Sequence, residues 1–346
     1  MKRMSEEITI GVIGAGRIGR VHIENILKEI KNVKLKAVAD VYITDELKNW
    51  SKEMGVSKLI DDPDKIINDG DIDAVIIASS TDTHAEFIQK AAKAQKQIFC
   101  EKPIDTNIKR IKQTLEIVRE SGIKLMVGFN RRFDHDFSRL HEAIIAGDIG
   151  EPHIIKITAR DPAPPPIEYV KVSGGIFLDM TIHDWDMARF LAGSEVEEVY
   201  ANGSVLIDPE IGKVGDIDTA VATLKFENGA LGLIDNSRQA VYGYDQRAEV
   251  FGSKGCARAD NDTPNSVQIF TKENIKKDKI PYFFLERYMK SYAIELQTFI
   301  ECIIHNKDPK PDGWDGLQNV LVAKAAQKSF EEKRPVKISE ITEASE

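Results

Sequence analysis

Cysteine is scarce in this chain. Cys100, Cys256 and Cys302 are the only three, far apart and in no CxxC pair. Their spacing excludes a disulfide-stapled scaffold and gives no structural zinc site, and a reducing compartment is expected. Long apolar runs are missing too, so no stretch is a candidate for crossing a bilayer. Nor is there an excess of positive charge. Lys and Arg number 47 against 56 Asp and Glu, a formal net charge of −9, which argues against nucleic acid or an anionic membrane as the main partner. The opening residues Met1 to Glu7 are charged and lack the apolar core of a signal peptide, so a cytoplasmic location is expected. What is present is 346 residues, 42% hydrophobic and 30% charged, enough for about two domains with separate cores. Small-molecule chemistry is the expectation.

The stretch from Ile8 to Gly19 organises the first half. A β-branched run breaks into Gly14-x-Gly16-x-x-Gly19 and then into a helical pattern at Ile18, Val21, His22 and Ile26. In such a turn Gly14 allows the sharp bend, Gly16 lets the backbone approach a pyrophosphate, and Gly19 lets helix and strand pack closely. Asp40 ends the next alternating run, Val33 to Ala39, 26 positions after Gly14. A carboxylate there accepts both ribose hydroxyls and repels a 2′-phosphate, so NAD is the expected cofactor. The bland alternative is an ordinary turn aspartate.

Further strands are expected at Lys58 to Ile60, Ala74 to Ser79, Ile98 to Cys100 and Leu125 to Gly128, alternating with helices at Thr44 to Met54, Asp64 to Asn68, Thr83 to Ala94, Asn107 to Ser121 and Asp134 to Ala146. That alternation defines a doubly wound parallel sheet, whose ligands sit at the carboxyl ends of the strands. The cofactor residues expected there are Gly14, Ala15, Gly16, Arg17, Ile18 and Asp40, then Ser79, Ser80, Thr81 and His84, then Glu101, Lys102 and Arg131. Thr83 and Glu86 match a capping box, which puts His84 in a first helical turn facing that edge. Lys102 sits beside Pro103 at a strand end, close to where a nicotinamide ring would lie. Of Arg131 and Arg132, one is expected to reach the ligand and the other a surface carboxylate.

At Gly147 to Pro152 the pattern changes, and the domain boundary is placed between residues 147 and 148. Strands are expected at His153 to Arg160, Val196 to Ser204, Asp218 to Phe226, Ala230 to Asn236, Gln246 to Gly252 and Ser266 to Thr271, forming an open, mainly antiparallel sheet able to serve as an oligomer surface. Helices at Tyr282 to His305 and Leu317 to Lys333 finish the chain and are expected to pack back on the first domain. Between strands, Gly174-Gly175 leads into an apolar helical pattern in which Asp179 and His183 are four residues apart, on one helical face. A carboxylate beside an imidazole fixes its tautomer and strengthens it as a proton acceptor. The plain alternative is a helix ion pair contributing about 0.2 to 0.5 kcal/mol. Metal ligation by Asp179, His183 and Asp186 is not favoured, because further nitrogen or sulfur donors cannot be placed nearby.

Taken together, the Gly14 turn, Ser80-Thr81-Asp82-Thr83-His84, Glu101-Lys102-Pro103 and Gly174-Gly175 leading to Asp179-x-x-x-His183 resemble the Gfo/Idh/MocA family of NAD(P)-dependent sugar and polyol oxidoreductases, over the whole length. Residues 128–134, 160–166, 175–184 and 240–247 look like its inositol 2-dehydrogenase branch. The resemblance implies a Rossmann domain, a C-terminal α+β domain with an open sheet, and subunits that pair through that sheet, commonly as homotetramers. It also implies that Lys102, Asp179 and His183 are the catalytic set. Arg131, Asp161, Met180 and Tyr242 then line a polyol pocket, Asp161 standing where related members carry an uncharged amide.

The expected activity is oxidation of a secondary ring hydroxyl, myo-inositol to 2-keto-myo-inositol, with His183 as base, Lys102 supplying positive charge and no metal. The alternatives are another inositol isomer or an aldose as substrate, an NAD-using glycosidase, and a ligand-sensing relative without catalysis.

Overall fold

The computed structural model describes residues 7–343. The reading of Met1 to Glu7 therefore lies, except for Glu7, outside the described residues. The chain divides into two compact units, one running through Asn130 with Met289–Leu317 added, the other Arg131–Tyr288 with the chain from Gln318 onward.

The first unit is built on strands β1 (Ile8–Ile13), β2 (Val33–Ala39), β3 (Leu59–Ile60), β4 (Ala74–Ile77), β5 (Gln97–Glu101) and β6 (Leu125–Gly128). Helices α1 (Arg17–Lys28), α2 (Asp45–Glu53), α3 (Asp64–Ile67), α4 (Thr81–Lys93) and α5 (Ile108–Ser121) connect them. All five neighbouring pairs are parallel and the order is β3-β2-β1-β4-β5-β6, the doubly wound arrangement. The central strands are short β-branched runs because both faces are covered, and every residue of β4 is buried.

In the second unit a 3-10 turn (Asn130–Phe133) leads to α6 (His135–Ile145), β7 (Pro152–Arg160), α7 (Ile167–Ser173), α8 (Ile176–Asp179) and α9 (Ile182–Ala192). There follow β8 (Val196–Ser204), α10 (Pro209–Lys213), β9 (Thr219–Phe226), β10 (Leu231–Ser237), β11 (Asp245–Gly252), β12 (Gly255–Ala259), β13 (Gln268–Phe270) and β14 (Ile275–Lys277). The chain ends in α11 (Phe284–Ile304), α12 (Gly313–Glu332), β15 (Val336–Lys337) and α13 (Ile338–Glu343). The large sheet has the order β12-β11-β7-β10-β9-β8-β15 and is antiparallel except where β7 meets β10. One face carries α9, which packs on β7. The other exposes Phe251, Ile154 and Leu231, a row across β11, β7 and β10, with Val221 and Leu233 nearby in the sheet.

Three expectations need correction. The change of unit falls at residues 130/131 rather than 147/148, because Arg131 and Arg132 are bound into α9 through Asp184 and Asp186. Of the final helices, residues 289–317 cluster with the first unit, whereas most of α12 clusters with the second. Asp179 and His183 do not share one helix, since α8 ends at Asp179 and α9 starts at Ile182. At the junction both the backbone N–H and the side-chain hydroxyl of Thr181 donate to Ile176 O, five residues back, and this interrupts the regular i to i+4 ladder.

Candidate active site

The glycine turn closes as its spacing requires. Gly14 adopts φ +97°, and a Cβ there would lie 2.5 Å from Ala78 O at the end of β4, while one at Gly19 would lie 2.1 Å from Gly14 O. Among the described residues nothing lies within 4 Å of where a Cβ at Gly16 would stand. Gly16 also caps α1 without any side-chain hydrogen bond, so the helix N-terminus offers its backbone donors to an anion. Asp40 reaches this turn. Its Oδ2 accepts from Ala15 N at 2.8 Å and its Oδ1 from Tyr42 N at 2.8 Å. An open glycine face, an uncapped helix and a carboxylate at the edge fit a dinucleotide with a free 2′-hydroxyl.

The segment after β4 differs in detail from expectation. Helix α4 starts at Thr81 with Ser80 as an N-cap that makes no side-chain bond, so the capping box of Thr83 and Glu86 does not form. Thr83 Oγ1 instead donates to Ser80 O and lies 2.7 Å from Ser79 Oγ, and Glu86 pairs with Lys90. His84 is buried, its ring nitrogens 2.8 Å from Pro103 O and 3.0 Å from Ser79 O. The ring thus ties the end of β4 to the corner that follows Lys102. Glu101 also turns inward, its carboxylate accepting from His22 Nε2 at 2.7 Å. Lys102 itself is half-buried.

The second unit gathers most of the remaining candidates. Asp179, at the end of α8, accepts from the hydroxyl of Tyr169 at 2.7 Å and from Arg238 Nη1 at 3.3 Å. Arg238 is almost fully buried at 1% and holds Asp216 with its other arm at 3.3 Å. Asp161, just beyond β7, donates its backbone N–H to Ser237 O and accepts at its carbonyl from Ala240 N, and the two bonds fix its backbone. Burial pushes its carboxyl up to about 6, with Arg238 and Arg131 pulling down and Asp179 and Asp184 pushing up. These Coulombic partners put Asp161, Arg131, Arg238 and Asp179 in one charged cluster. His183 is half-buried in the first turn of α9, and Met180, next to Asp179 in sequence, is buried.

Arg131 is buried, donating to Asp184 at 2.5 Å and to the Tyr244 hydroxyl at 3.3 Å. Burial alone would lower its pKa, yet Tyr244, Tyr288, Asp184 and Asp161 outweigh that and raise it, so the cation is permanent. Asp184 also accepts from Asn236 at 2.8 Å, and Asn236 accepts from Thr181 at 2.8 Å, which anchors the α8–α9 junction. The carboxylate that Arg132 is seen to hold is a buried one. Arg132 grips Asp186 with two bonds, at 2.8 and 2.6 Å. Asp186 is therefore engaged with Arg132 and Asn319. Tyr242 is exposed, donates to Asp245 at 2.6 Å and accepts from Arg160 at 3.2 Å. Tyr169, Asp184, Asp216, Asn236 and Arg238 escaped the sequence reading. Only Asp184, adjacent to His183, carried a signal that could have found it.

A nucleotide-ready turn on a doubly wound sheet, followed by an α/β unit presenting carboxylates, an arginine cluster and a histidine, defines an oxidoreductase class. Residues 8–129 match the oxidoreductase family's NAD-binding Rossmann fold and residues 141–338 its C-terminal α/β domain. The chain belongs to the Gfo/Idh/MocA oxidoreductase family. It is 52% identical to the myo-inositol 2-dehydrogenase of Thermotoga maritima over 96% of this chain and 99% of that protein. It is 45% identical to the inositol 2-dehydrogenase of Rhizobium meliloti over 96% and 99%. The scyllo-inositol dehydrogenase of Lactobacillus casei, solved with NAD(H) and scyllo-inositol, superposes with a TM-score of 0.89 at 33% identity, covering 96% of this chain and 99% of that one.

Proposed function

We propose that this protein is an NAD-dependent dehydrogenase that oxidises a secondary ring hydroxyl of a cyclic polyol, myo-inositol to 2-keto-myo-inositol. The observation that carries this reading is the charged cluster of Asp161, Asp179, Arg131 and Arg238 beside the start of α9, in a chain 52% identical to a myo-inositol 2-dehydrogenase. NAD, when bound, supplies the hydride acceptor. Gly14, Ala15, Gly16, Arg17, Ile18 and Asp40 are assigned to hold it, with Ser79, Ser80, Thr81 and the corner carrying Glu101 and Lys102 along the same sheet edge.

The protein's part is to take the hydroxyl proton and to stabilise the negative charge that grows on oxygen. His183 accepts the proton. Asp179, fixed by Tyr169 and Arg238, orients the imidazole. Lys102 places positive charge at the substrate oxygen. A polyol excluded from water needs a partner for each hydroxyl, and Arg131, Asp161 and Tyr242 are the assigned donors and acceptors, with Met180 against the C–H face.

Homotetramers are proposed as the working form. The support is the exposed apolar row of Ile154, Leu231 and Phe251 together with Val221 and Leu233, on a sheet face that no element of this chain covers among the described residues. A cytoplasmic location is proposed from the reduced, scattered cysteines. No helix among the described residues is long and apolar enough to cross a membrane.

The test is a panel of inositol isomers and aldoses assayed for NADH, with NADP as control. Net NADH is expected with myo-inositol and little with NADP. Turnover of a glycoside without net NADH would point instead to the NAD-using glycosidase. A stronger response to scyllo-inositol would move the assignment to that isomer.

A further inference from the structure

Two buried titratable side chains, His22 and Glu295, have no role assigned so far, and both meet Glu101 of the cofactor edge. In the first unit His22 on α1, Glu101 at the end of β5 and Glu295 on α11 bring one nitrogen and two carboxyl oxygens within 4.8 Å of one another. His22 and Glu295 have no exposed surface. The His22 ring donates to Glu101 and is wedged edge-on against Phe99 at 5.1 Å and Tyr292 at 5.9 Å. Gly128 leaves the room that the Glu101 carboxyl needs, since a Cβ there would lie 3.0 Å from both of its oxygens. Among the described residues neither oxygen of Glu295 has a hydrogen-bond partner.

An ionised carboxylate buried without a donor and facing a second carboxylate is strongly disfavoured. As the neutral acid, Glu295 carries the missing donor itself, and Glu101 is the acceptor beside it. Burial first, then the charge of Glu101, pushes the Glu295 carboxyl well above the ordinary carboxylate range. A shared divalent ion would be the other solution. Two ligands bound at about 2.0 to 2.1 Å on a tetrahedral ion stand roughly 3.3 Å apart, so the 2.7 Å between His22 and Glu101 is a hydrogen bond and not a ligand pair.

We propose that Glu295 is a positioning residue, the neutral acid that shares its proton with Glu101 and, with His22, fixes the strand end from which Lys102 follows. The proposal rests on the reading of Lys102 as a catalytic group. A carboxylate held from two sides cannot swing, so the backbone at residue 101 and the lysine next to it keep one placement. Around the pair lie His22, Tyr292, whose ring meets that of His22, and Cys100, whose thiol is pushed up by burial and then by Glu101.

The test compares Glu295→Gln, which keeps a neutral donor, with Glu295→Leu, which keeps the volume without it. Glu295→Leu is expected to lower kcat about 10- to 100-fold with KM for polyol changed little, the scale of a misplaced catalytic group, while Glu295→Gln restores most of the loss. A second readout needs no turnover. A carboxyl raised in the fold gives stability that is full below the ordinary carboxylate range and lost as pH rises above it, so the thermal midpoint of Glu295→Gln should gain on wild type as pH is raised from that range upward. The proposal is overturned if both variants lose kcat equally, if neither does, if the two stability profiles run parallel, or if the purified protein holds a stoichiometric divalent ion that Glu295→Gln releases. Wild-type protein that forms no NADH with any polyol would instead count against the polyol reading, and the stability profiles would still decide the role of Glu295.

Discussion

Asp161 is a carboxyl that burial moves toward neutral pH. Its folded value of about 6 stands above the ordinary aspartate value, burial being the main cause. A group raised in this way contributes stability that is complete below the unfolded value, near 4, and is lost as pH rises through about 6. Asp161→Asn removes that penalty. The variant should be more stable than wild type at pH 8 by about 1 to 3 kcal/mol and indistinguishable near pH 4, measured by urea unfolding. Equal stabilisation at both values would mean that the carboxyl is not raised. Such residue-scale facts are only partly legible in sequence. Asp40 and the three glycines were legible because a turn and the strand after it are local. Arg238 was not, since its hold on Asp179 spans 59 residues and follows no periodicity.

At the scale of elements, α9 shows what a buried helix demands. Nine of its eleven residues are buried, among them Asp184, Asp186 and Arg189, and each of these is paired. Removing one partner from such a pair leaves the other buried without compensation. Asp186→Ala should therefore destabilise the protein by about 3 to 5 kcal/mol in urea unfolding, whereas a loss under about 1 kcal/mol would show the Arg132 contact to be dispensable. Periodicity located this helix but not its break. The interval between Asp179 and His183 reads as one face of one helix, and only the doubled bond from Thr181 to Ile176 shows that the chain changes register between them. Most strands of both sheets were legible because alternating or β-branched runs report burial directly. But β12, β14, the two-residue β15 and the short α10 were missed, the last two carrying too few residues for any period to register, and β13, within the run Ser266 to Thr271 expected in the large sheet, pairs with β14 in a separate two-stranded sheet instead.

For the whole molecule, the open sheet predicts association. Leu233→Asp puts a charge on its exposed apolar face and, if the proposed tetramer pairs there, should give smaller species in light scattering without unfolding the protein. An unchanged mass would remove that face from the interface. The division at residue 130/131 was not legible, because the turn signals at residues 147–152 are local whereas Arg131 and Arg132 are claimed by partners 53 and 54 residues away. His183 is proposed to take the proton when a polyol is oxidised with NAD. The most direct measurement is turnover of His183→Ala on the best polyol at about pH 8 to 9, where a histidine base is unprotonated. A fall in kcat of about 100- to 10,000-fold is predicted, and turnover close to wild type would contradict the account.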